Sequence, residues 1–357
     1  MKELILKNHL NLPFITRMLK WHFSYYILGR GYPVSAGVYL TDTCNSRCIM
    51  CNLWKKKNPY TYPMEEQKAA IDALSAMGCY YYSISGGEPT LVKDLKERLR
   101  YASAKIPYVH LVTNGLLSEE KMVSEIVSTG IKEISISIDG TEKFHNALRG
   151  REDGFQKAFN TLKLYAAHSD KLQLTVNSIL TKRSLSELRE LRKMLDDFPG
   201  VHYKYLPLSV HELFQNDAGI DKAFPGNDAS IDEMEAFLNE AAADDRNVNS
   251  KIFLKKAKLF FRGQEDILPE QKQCVYSYHA VEFGPDASVY PCRTGMNFAS
   301  EISGKTDLKE FYSSAKCSNI QKELKSCKRC RNTMPLCYYE PRLNFPITNL
   351  VKYYFSK

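Results

Sequence analysis

Short runs rich in β-branched and aromatic residues alternate with amphipathic stretches from residue 37 onward. The six predicted strands are 37–41, 80–85, 108–113, 133–138, 172–180 and 202–208. The helices predicted between them are 64–77, 92–103, 118–129, 153–168 and 184–197. Most strands read as continuous apolar runs, which is typical of a parallel sheet with both faces covered. The pattern predicts an α/β fold, and periodicity alone leaves open whether the sheet curls into a barrel.

The last of these helices opens with Ser184 followed by Glu187, the spacing of a capping box. After residue 208 the alternation stops, and the chain reads as a loop at 225–230, helices at 231–245 and 251–262, and short turn-rich segments from 274. We therefore expect a domain boundary between 210 and 270. The predicted divisions are an N-terminal segment 1–36, a core 37–210, a helical connection 211–270, a cysteine-bearing domain 271–340 and a tail 341–357.

The composition is that of an ordinary globular protein, with 44% apolar and 25% charged residues among 357. No apolar run approaches the roughly 18 residues of a membrane-spanning helix, and the N-terminus lacks the pattern of a signal peptide, so we expect a cytoplasmic protein. Most of the net charge of +8 lies at the two ends, with +4 in residues 1–36 and +3 in residues 341–357. Because the middle is nearly neutral, nucleic acid is not expected as a partner.

The basic ends are also apolar and aromatic. In residues 12–28, helical spacing places Arg17, Lys20 and Ser24 on one stripe, with apolar and aromatic residues over much of the remaining surface. That pattern is typical of a helix lying at a membrane interface, so we consider peripheral membrane contact. Two other interpretations stay open: both ends pack on the core, or they attract an anionic soluble substrate.

Nine of the ten cysteines fall into two groups, which favours metal ligation over disulfides in a cytoplasmic protein. The first group, Cys44, Cys48 and Cys51, directly follows the first predicted strand. A structural zinc site uses four protein ligands, whereas three ligands leave a coordination position open for chemistry. Thiolates also suit iron–sulfur clusters. A zinc site completed by a distant fourth ligand remains the alternative.

The CxxxCxxC spacing, together with the Gly-Gly-Glu-Pro sequence that ends the second predicted strand, resembles the radical SAM family. The resemblance covers about residues 36–210. It implies a partial (β/α)6 TIM-like barrel and a [4Fe–4S] cluster on Cys44, Cys48 and Cys51 that binds S-adenosylmethionine. One departure is Met50, which occupies a position that is often aromatic in this family.

The resemblance also implies where S-adenosylmethionine binds. The implied cofactor-binding residues are Gly86, Gly87, Glu88, Thr113, Asn114, Ser137, Asp139, Arg149 and Asn177. These residues follow or end predicted strands, and parallel α/β folds place their active sites at the carboxyl ends of strands. Arg149 is implied to face the methionine carboxylate, the alternative being an ordinary surface arginine. No catalytic residue is assigned.

The second cysteine group begins with Cys274 and Cys292, which have 17 residues between them, and the stretch 283–292 predicts a β-hairpin. Cys327 and Cys330 then form a CxxC pair. This region resembles the SPASM/twitch extension of radical SAM enzymes, which implies one auxiliary [4Fe–4S] cluster on these four cysteines. Cys337 is an alternative ligand, Cys317 reads as a bystander in a helix, and a structural zinc site remains the other interpretation.

The resulting hypothesis is an enzyme that cleaves S-adenosylmethionine to a 5′-deoxyadenosyl radical and abstracts a substrate hydrogen. We expect it to oxidise a small sugar-, nucleotide- or lipid-linked metabolite, with the auxiliary cluster as electron acceptor. The alternative is crosslinking or oxidation of a ribosomally made peptide. Flavodoxin or ferredoxin is the implied reducing partner. The non-enzymatic alternative is a zinc-bearing binding module on a barrel scaffold.

Overall fold

The computed structural model describes residues 12–117, 119–208, 216, 219–264, 267, 274–292, 307–327 and 334. The strands are β1 (Ser35–Tyr39), β2 (Tyr81–Ser85), β3 (Tyr108–Thr113), β4 (Glu133–Ser137), β5 (Gln173–Leu180), β6 (Val201–Pro207), β7 (Ala280–Phe283) and β8 (Val289–Tyr290). The first helices are α1 (Leu12–Leu28), α2 (Met64–Ala76), α3 (Leu95–Lys105), α4 (Glu120–Val127), α5 (Glu142–Arg149) and α6 (Gly154–Ala166). The later helices are α7 (Leu185–Met194), α8 (Ile231–Ala243), α9 (Lys251–Phe261), α10 (Tyr276–His279), α11 (Leu308–Ser313) and α12 (Ala315–Lys325).

All eight strands form one sheet in the order β6-β5-β4-β3-β2-β1-β7-β8. Strands β1 to β6 are parallel, β7 adds in parallel to β1, and β8 returns antiparallel to β7. Because β6 and β8 are the two edges, the parallel strands form an incomplete barrel. This confirms the predicted α/β fold with a small C-terminal addition, and β7 and β8 are the predicted hairpin.

The two faces of the sheet differ in polarity. One face packs against the helices, and its side chains are 0% exposed at Val38, Ile84, Leu111, Ile134 and Val176. The alternate positions form the opposite, inner face, where Ser83 pairs with His110, and Ser135 with Thr175, in neighbouring strands. The strands therefore alternate apolar and polar positions with the period of two that side chains follow along a strand. The predicted parallel sheet with covered faces is confirmed, since β3, β4 and β5 are buried at nearly every position, but the strands are not continuously apolar.

The predicted capping box at the start of α7 is absent. Ser184 already has near-helical backbone angles, and its hydroxyl pairs with the backbone of Thr181 rather than with the third helical residue. Glu187 instead accepts hydrogen bonds from the N–H and the hydroxyl of Thr141 at 3.1 and 2.5 Å. The same motif does form at α8, where Ser230 and Glu233 cap the helix reciprocally.

Helix α1 packs on the C-terminal part of the sheet through one side only. Trp21 is 1% exposed, and its indole N–H donates to the carbonyl of Tyr278 at 3.0 Å. Arg17 lies against the Tyr80 ring, 6.0 Å from its centroid. Of the predicted stripe of Arg17, Lys20 and Ser24, Arg17 is therefore turned toward the protein, whereas Lys20 is exposed. Within the described residues, no helix is long and apolar enough to cross a membrane.

Candidate active site

The first cysteine group lies on the loop that leaves the carboxyl end of β1. The N–H of Arg47 donates to the carbonyl of Arg149 at 3.1 Å, which holds the loop against the end of α5. The N–H of Cys51 donates to the carbonyl of Cys48 at 3.2 Å. Backbone contacts therefore fix the path of this loop independently of what the thiols bind.

The thiols of this loop are largely buried. Burial raises the pKa of Cys44 to about 12 and of Cys51 to about 11, and it also raises the pKa of Cys48. The backbone N–H of Ser46 lies 3.5 Å from Cys44 Sγ, and Arg149 Nη1 lies 3.9 Å from Cys48 Sγ. A cysteine binds a metal as a thiolate. Because burial disfavours the thiolate here, these cysteines need a nearby positive charge, such as iron supplies, to lose their protons. Among the residues the structure describes, no three His, Cys, Asp or Glu side chains surround a point suited to one metal ion.

The glycines of the Gly-Gly-Glu-Pro turn allow two strand exits to pack together. A Cβ on Gly86, whose φ is +127°, would lie 2.7 Å from the carbonyl oxygen of Thr41, and one on Gly87 would lie 2.3 Å from that of Thr43. The N–H groups of Gly87 and Glu88 donate to these same two carbonyls. The glycines are therefore required for the approach of the β2 turn to the β1 exit, which carries the cysteines.

Glu88 ties the exit of β2 to the exit of β3. Its carboxylate is 1% exposed and accepts four hydrogen bonds, two from Thr90 at 3.0 and 2.6 Å, one from the Thr113 hydroxyl at 2.7 Å and one from the Asn114 N–H at 2.7 Å. Burial raises the pKa of Glu88, and these hydrogen bonds oppose the rise. Since a carboxylate has about four acceptor positions, Glu88 organises the site by holding Thr113 and Asn114 in place.

Asn114 extends this arrangement to the cysteine loop. Its side-chain Nδ2 donates to Asn45 Oδ1 at 2.7 Å and to Ser46 Oγ at 3.2 Å, and it lies 4.0 Å from Cys44 Sγ. Its Oδ1 accepts from the N–H of Leu116 at 3.0 Å. The structure thus brings Asn114, which the family resemblance implied, into contact with the loop that carries Cys44.

Asp139 and Arg149 form a buried ion pair beside Cys48. Arg149 Nε lies 2.6 Å from Asp139 Oδ2, and Asp139 Oδ1 accepts from the N–H of Ile179 at 2.9 Å. Although burial acts to raise it, the pKa of Asp139 is lowered, chiefly by the Arg149 guanidinium. The Asp139 carboxylate is 0% exposed, and the Arg149 side chain is 14% exposed. Arg149 is therefore not an ordinary surface arginine, and its charge lies between a carboxylate and a site cysteine.

Ser137, the last residue of β4, lies opposite Asn177, which is within β5 on the same inner face. Asn177 is 8% exposed, and its Oδ1 has no hydrogen-bond partner among the described residues. A buried acceptor without a donor is costly, so a bound molecule with a hydroxyl or an amine would stabilise it. S-adenosylmethionine carries both donor types. These residues and the three-thiol loop therefore fit the predicted cofactor and cluster.

The inner face also carries a polar network that the sequence analysis missed. His110 pairs with Tyr81 at 2.6 Å through Nδ1 and with Ser135 at 2.8 Å through Nε2. Glu133 accepts from the Tyr108 hydroxyl at 2.9 Å and from Lys204 Nζ at 3.4 Å. A buried network of this kind lines the barrel interior with donors and acceptors. Alternate polar residues within the predicted strands were the signal that would have identified it.

The described cysteines of the second group lie toward the amino-terminal end of β7. Cys274 precedes β7, which runs parallel to β1, and Cys292 follows β8, which returns antiparallel. The N–H of Cys274 donates to the carbonyl of Lys325 at 2.7 Å, next to Cys327 at the end of α12. Cys274 therefore lies near the end of α12, and Cys292 follows β8 toward the amino-terminal end of β7, whereas the first group follows a carboxyl end. Cys330 and the alternative ligand Cys337 lie outside the described residues.

Two cysteines are core thiols. Cys317 on α12 is 3% exposed within the hydrophobic core, and burial raises its pKa to about 12. Cys79 is 1% exposed, and its thiol donates to the carbonyl of Tyr81 at 3.4 Å. Both therefore have packing roles in the structure.

Comparison with known proteins agrees with this geometry. Residues 38–198 match the family model of the radical SAM superfamily. The chain is 30% identical to the mycofactocin maturase MftC of Mycobacterium tuberculosis over 74% of this chain and 65% of that protein. It is 28% identical to the PqqA peptide cyclase of Bradyrhizobium diazoefficiens over 47% and 44%, respectively. Fe-coproporphyrin III synthase and GTP 3′,8-cyclase are also among the matches.

The fold is similar to that of Streptococcus suis SuiB bound to its precursor peptide SuiA, with a TM-score of 0.60 at 16% identity, covering 87% of this chain and 72% of that one. The chain spans about a third to two thirds of the length of the curated relatives it matches. Residues 38–198 therefore form a radical SAM domain. The cofactors of this superfamily are a [4Fe–4S] cluster and S-adenosylmethionine, and the residues around the first cysteine group fit both.

Proposed function

We propose that this radical SAM enzyme modifies a ribosomally made peptide, by crosslinking or oxidising it within the barrel. The main support for the proposal is that two of the matched relatives are a maturase and a peptide cyclase. This favours the peptide alternative over the small sugar-, nucleotide- or lipid-linked metabolite that the sequence analysis placed first. Two other relatives, Fe-coproporphyrin III synthase and GTP 3′,8-cyclase, are named for small molecules. The test must therefore distinguish a peptide substrate from a small-molecule substrate.

The proposed cluster ligands are Cys44, Cys48 and Cys51 for the first cluster and Cys274, Cys292, Cys327 and Cys330 for the auxiliary one. When bound and reduced, S-adenosylmethionine on the first cluster supplies a 5′-deoxyadenosyl radical that abstracts hydrogen. Around it, Glu88 fixes the strand exits, Arg149 places a positive charge beside Cys48, and Asn177 offers an unpaired acceptor.

One buried group on the inner face remains open to a bound molecule. His110, Ser135 and Thr175 are 3%, 0% and 0% exposed and pair with one another or with Glu133, so they hold the strands together. The Asn177 Oδ1 has no partner among the described residues, so it can accept a hydrogen bond from a donor such as a peptide N–H. Net loss of two hydrogens from the peptide would send one hydrogen atom to the cofactor-derived radical. The other would leave as a proton and an electron, and the proposed auxiliary cluster would accept that electron.

The test is co-expression of this chain with the short peptide encoded nearest its gene, followed by the intact mass of the peptide. We expect the peptide to lose the mass of two hydrogen atoms with the wild-type chain and to stay unchanged with Cys44→Ala/Cys48→Ala/Cys51→Ala. A Cys79→Ala variant is the matched control, because Cys79 is a core thiol away from both groups. An unchanged peptide, together with S-adenosylmethionine cleavage stimulated by small metabolites, would contradict the proposal.

A further inference from the structure

Helix α1 presents apolar side chains to solvent as well as to the protein. Four large side chains on its outer side are more than half exposed: Leu19 at 65%, Phe23 at 58%, Tyr26 at 53% and Ile27 at 67%. Their spacing of i, i+4, i+7 and i+8 places them on one face of a helix. We refer to these four residues as the outer stripe. On a helix at the surface of a soluble domain, the face turned to solvent normally carries polar residues.

The inner side of α1 is already occupied. Trp21 stacks on Tyr25 with ring centroids 5.1 Å apart, and Tyr25 meets the Tyr278 ring edge-on at 5.0 Å. His22 is 7% exposed, and burial lowers its pKa. The helix is therefore held to the protein by the face opposite the outer stripe. Rotating α1 to bury the outer stripe would expose Trp21, so the exposed apolar face is a stable feature of this packing.

Positive charge lies on α1 itself and on the helix packed beside it. Lys20 and Arg30 are exposed on and just after α1, which contains no acidic residue. Helix α12 packs beside it, since Gln321 Nε2 donates to the carbonyl of Gly31 at 3.2 Å. That helix contributes Lys322, which is exposed, and Lys325, whose Nζ lies 5.3 Å from the centroid of the Tyr25 ring. We refer to these four cations as the basic rim, and Glu323 is the only acidic residue of α12.

The combination of an apolar, partly aromatic stripe and a basic rim identifies one occupant. Apolar and aromatic side chains enter the boundary between headgroups and acyl chains, while Lys and Arg attract anionic headgroups. A second copy of this chain would bring an identical basic rim. The tail 341–357 contains three basic residues and no acidic one, so it too is repelled. We propose that α1 attaches this enzyme to an anionic lipid surface, lying in the plane of the interface.

The test is flotation of the full, cluster-loaded chain with vesicles. Vesicles of phosphatidylcholine with phosphatidylglycerol are compared with pure phosphatidylcholine at low and high salt. We expect binding to the anionic vesicles at low salt, weakened by salt because the basic rim is screened. The variant Leu19→Ser/Phe23→Ser/Ile27→Ser should bind at least about tenfold more weakly, because its apolar contribution is lost. These side chains are exposed, so the fold should persist, and the buried Trp21 reports on it by fluorescence.

A charge-matched pair of variants tests the basic rim. Lys20→Glu/Lys322→Glu should lose binding to anionic vesicles, whereas Lys121→Glu/Lys193→Glu, which changes the net charge equally on α4 and α7, should retain it. Absence of wild-type binding, or binding that is indifferent to the serine substitutions, would overturn the proposal. So would a wild-type dimer that the serine variant converts to monomer, because the stripe would then be an interface between copies of this chain.

Discussion

The buried pair of Asp139 and Arg149 shows how single residues support the cluster loop. A carboxylate that is 0% exposed needs a counter-charge, and Arg149 supplies it at 2.6 Å while also approaching Cys48 Sγ. We expect Arg149→Met to lower the free energy of unfolding by about 3–5 kcal/mol, because it leaves the Asp139 charge buried and unpaired. Urea denaturation of the anaerobically reconstituted protein measures the change.

Arg262 offers a control away from the cysteine loop. It pairs with Glu235 at 2.5 Å, with side-chain exposures of 57% and 22%. A surface pair contributes about 0–1 kcal/mol, so Arg262→Met should change the free energy of unfolding by no more than that. Equal effects of the two substitutions would show that Arg149 has no special role beside the cluster loop.

The His110 network predicts a pH dependence at the same scale. Burial lowers the pKa of His110 from 6.5 to about 4, although Glu133 opposes the fall, so the unfolded chain takes up this proton first on acidification. Stability should therefore decrease as the pH falls from 6.5 toward 4, by up to about 1.4 kcal/mol per pH unit from this residue. Lys204 and Tyr81 also face the network.

The measurement is the free energy of unfolding across that pH range for wild type and His110→Gln. Glutamine still forms hydrogen bonds but takes up no proton, so the variant should show a shallower decrease. Identical slopes for the two proteins would contradict the assignment of His110 as a histidine held neutral by burial.

At the scale of elements, strand positions were predictable because each apolar run is short and bounded by turn residues. Strand β3 occupies the predicted 108–113, and the other five parallel strands lie within two residues of their predicted positions. The polarity of the inner face was not recognised, since isolated residues such as Ser83 and His110 look incidental until the register aligns them. The Ser184 and Glu187 capping box failed because Glu187 has a partner, Thr141, that is distant in sequence.

The packing of helix α1 through Trp21 can be tested directly. Trp21 is 1% exposed and donates to Tyr278, whereas Trp54, the other tryptophan of the chain, is 37% exposed. Trp21→Ala should destabilise this packing by about 3–5 kcal/mol and release α1 from the sheet. Limited proteolysis should then cleave near α1 faster, while Trp54→Ala should leave the cleavage pattern unchanged. Protection of α1 in the Trp21 variant would contradict the packing described.

At the scale of the whole molecule, the family resemblance named candidate site residues but not the contacts between them. Glu88 and Asn114 were implied by that resemblance, and in the structure they form a connected set that reaches the cysteine loop. Their hydrogen bonds join three separate strand exits, so no local pattern could reveal them. The first cysteine group follows the carboxyl end of β1, and the second lies toward the amino end of β7. That difference likewise depends on the parallel pairing of β7 with β1.

The most direct test of the account is the iron and acid-labile sulfide content per chain after anaerobic reconstitution. Two [4Fe–4S] clusters predict about eight irons in wild type, and about four in each of two variants, Cys44→Ala/Cys48→Ala/Cys51→Ala and Cys274→Ala/Cys292→Ala/Cys327→Ala. About four irons in wild type, lost in the first variant and unchanged in the second, would contradict the assignment of the second cysteine group as a cluster site.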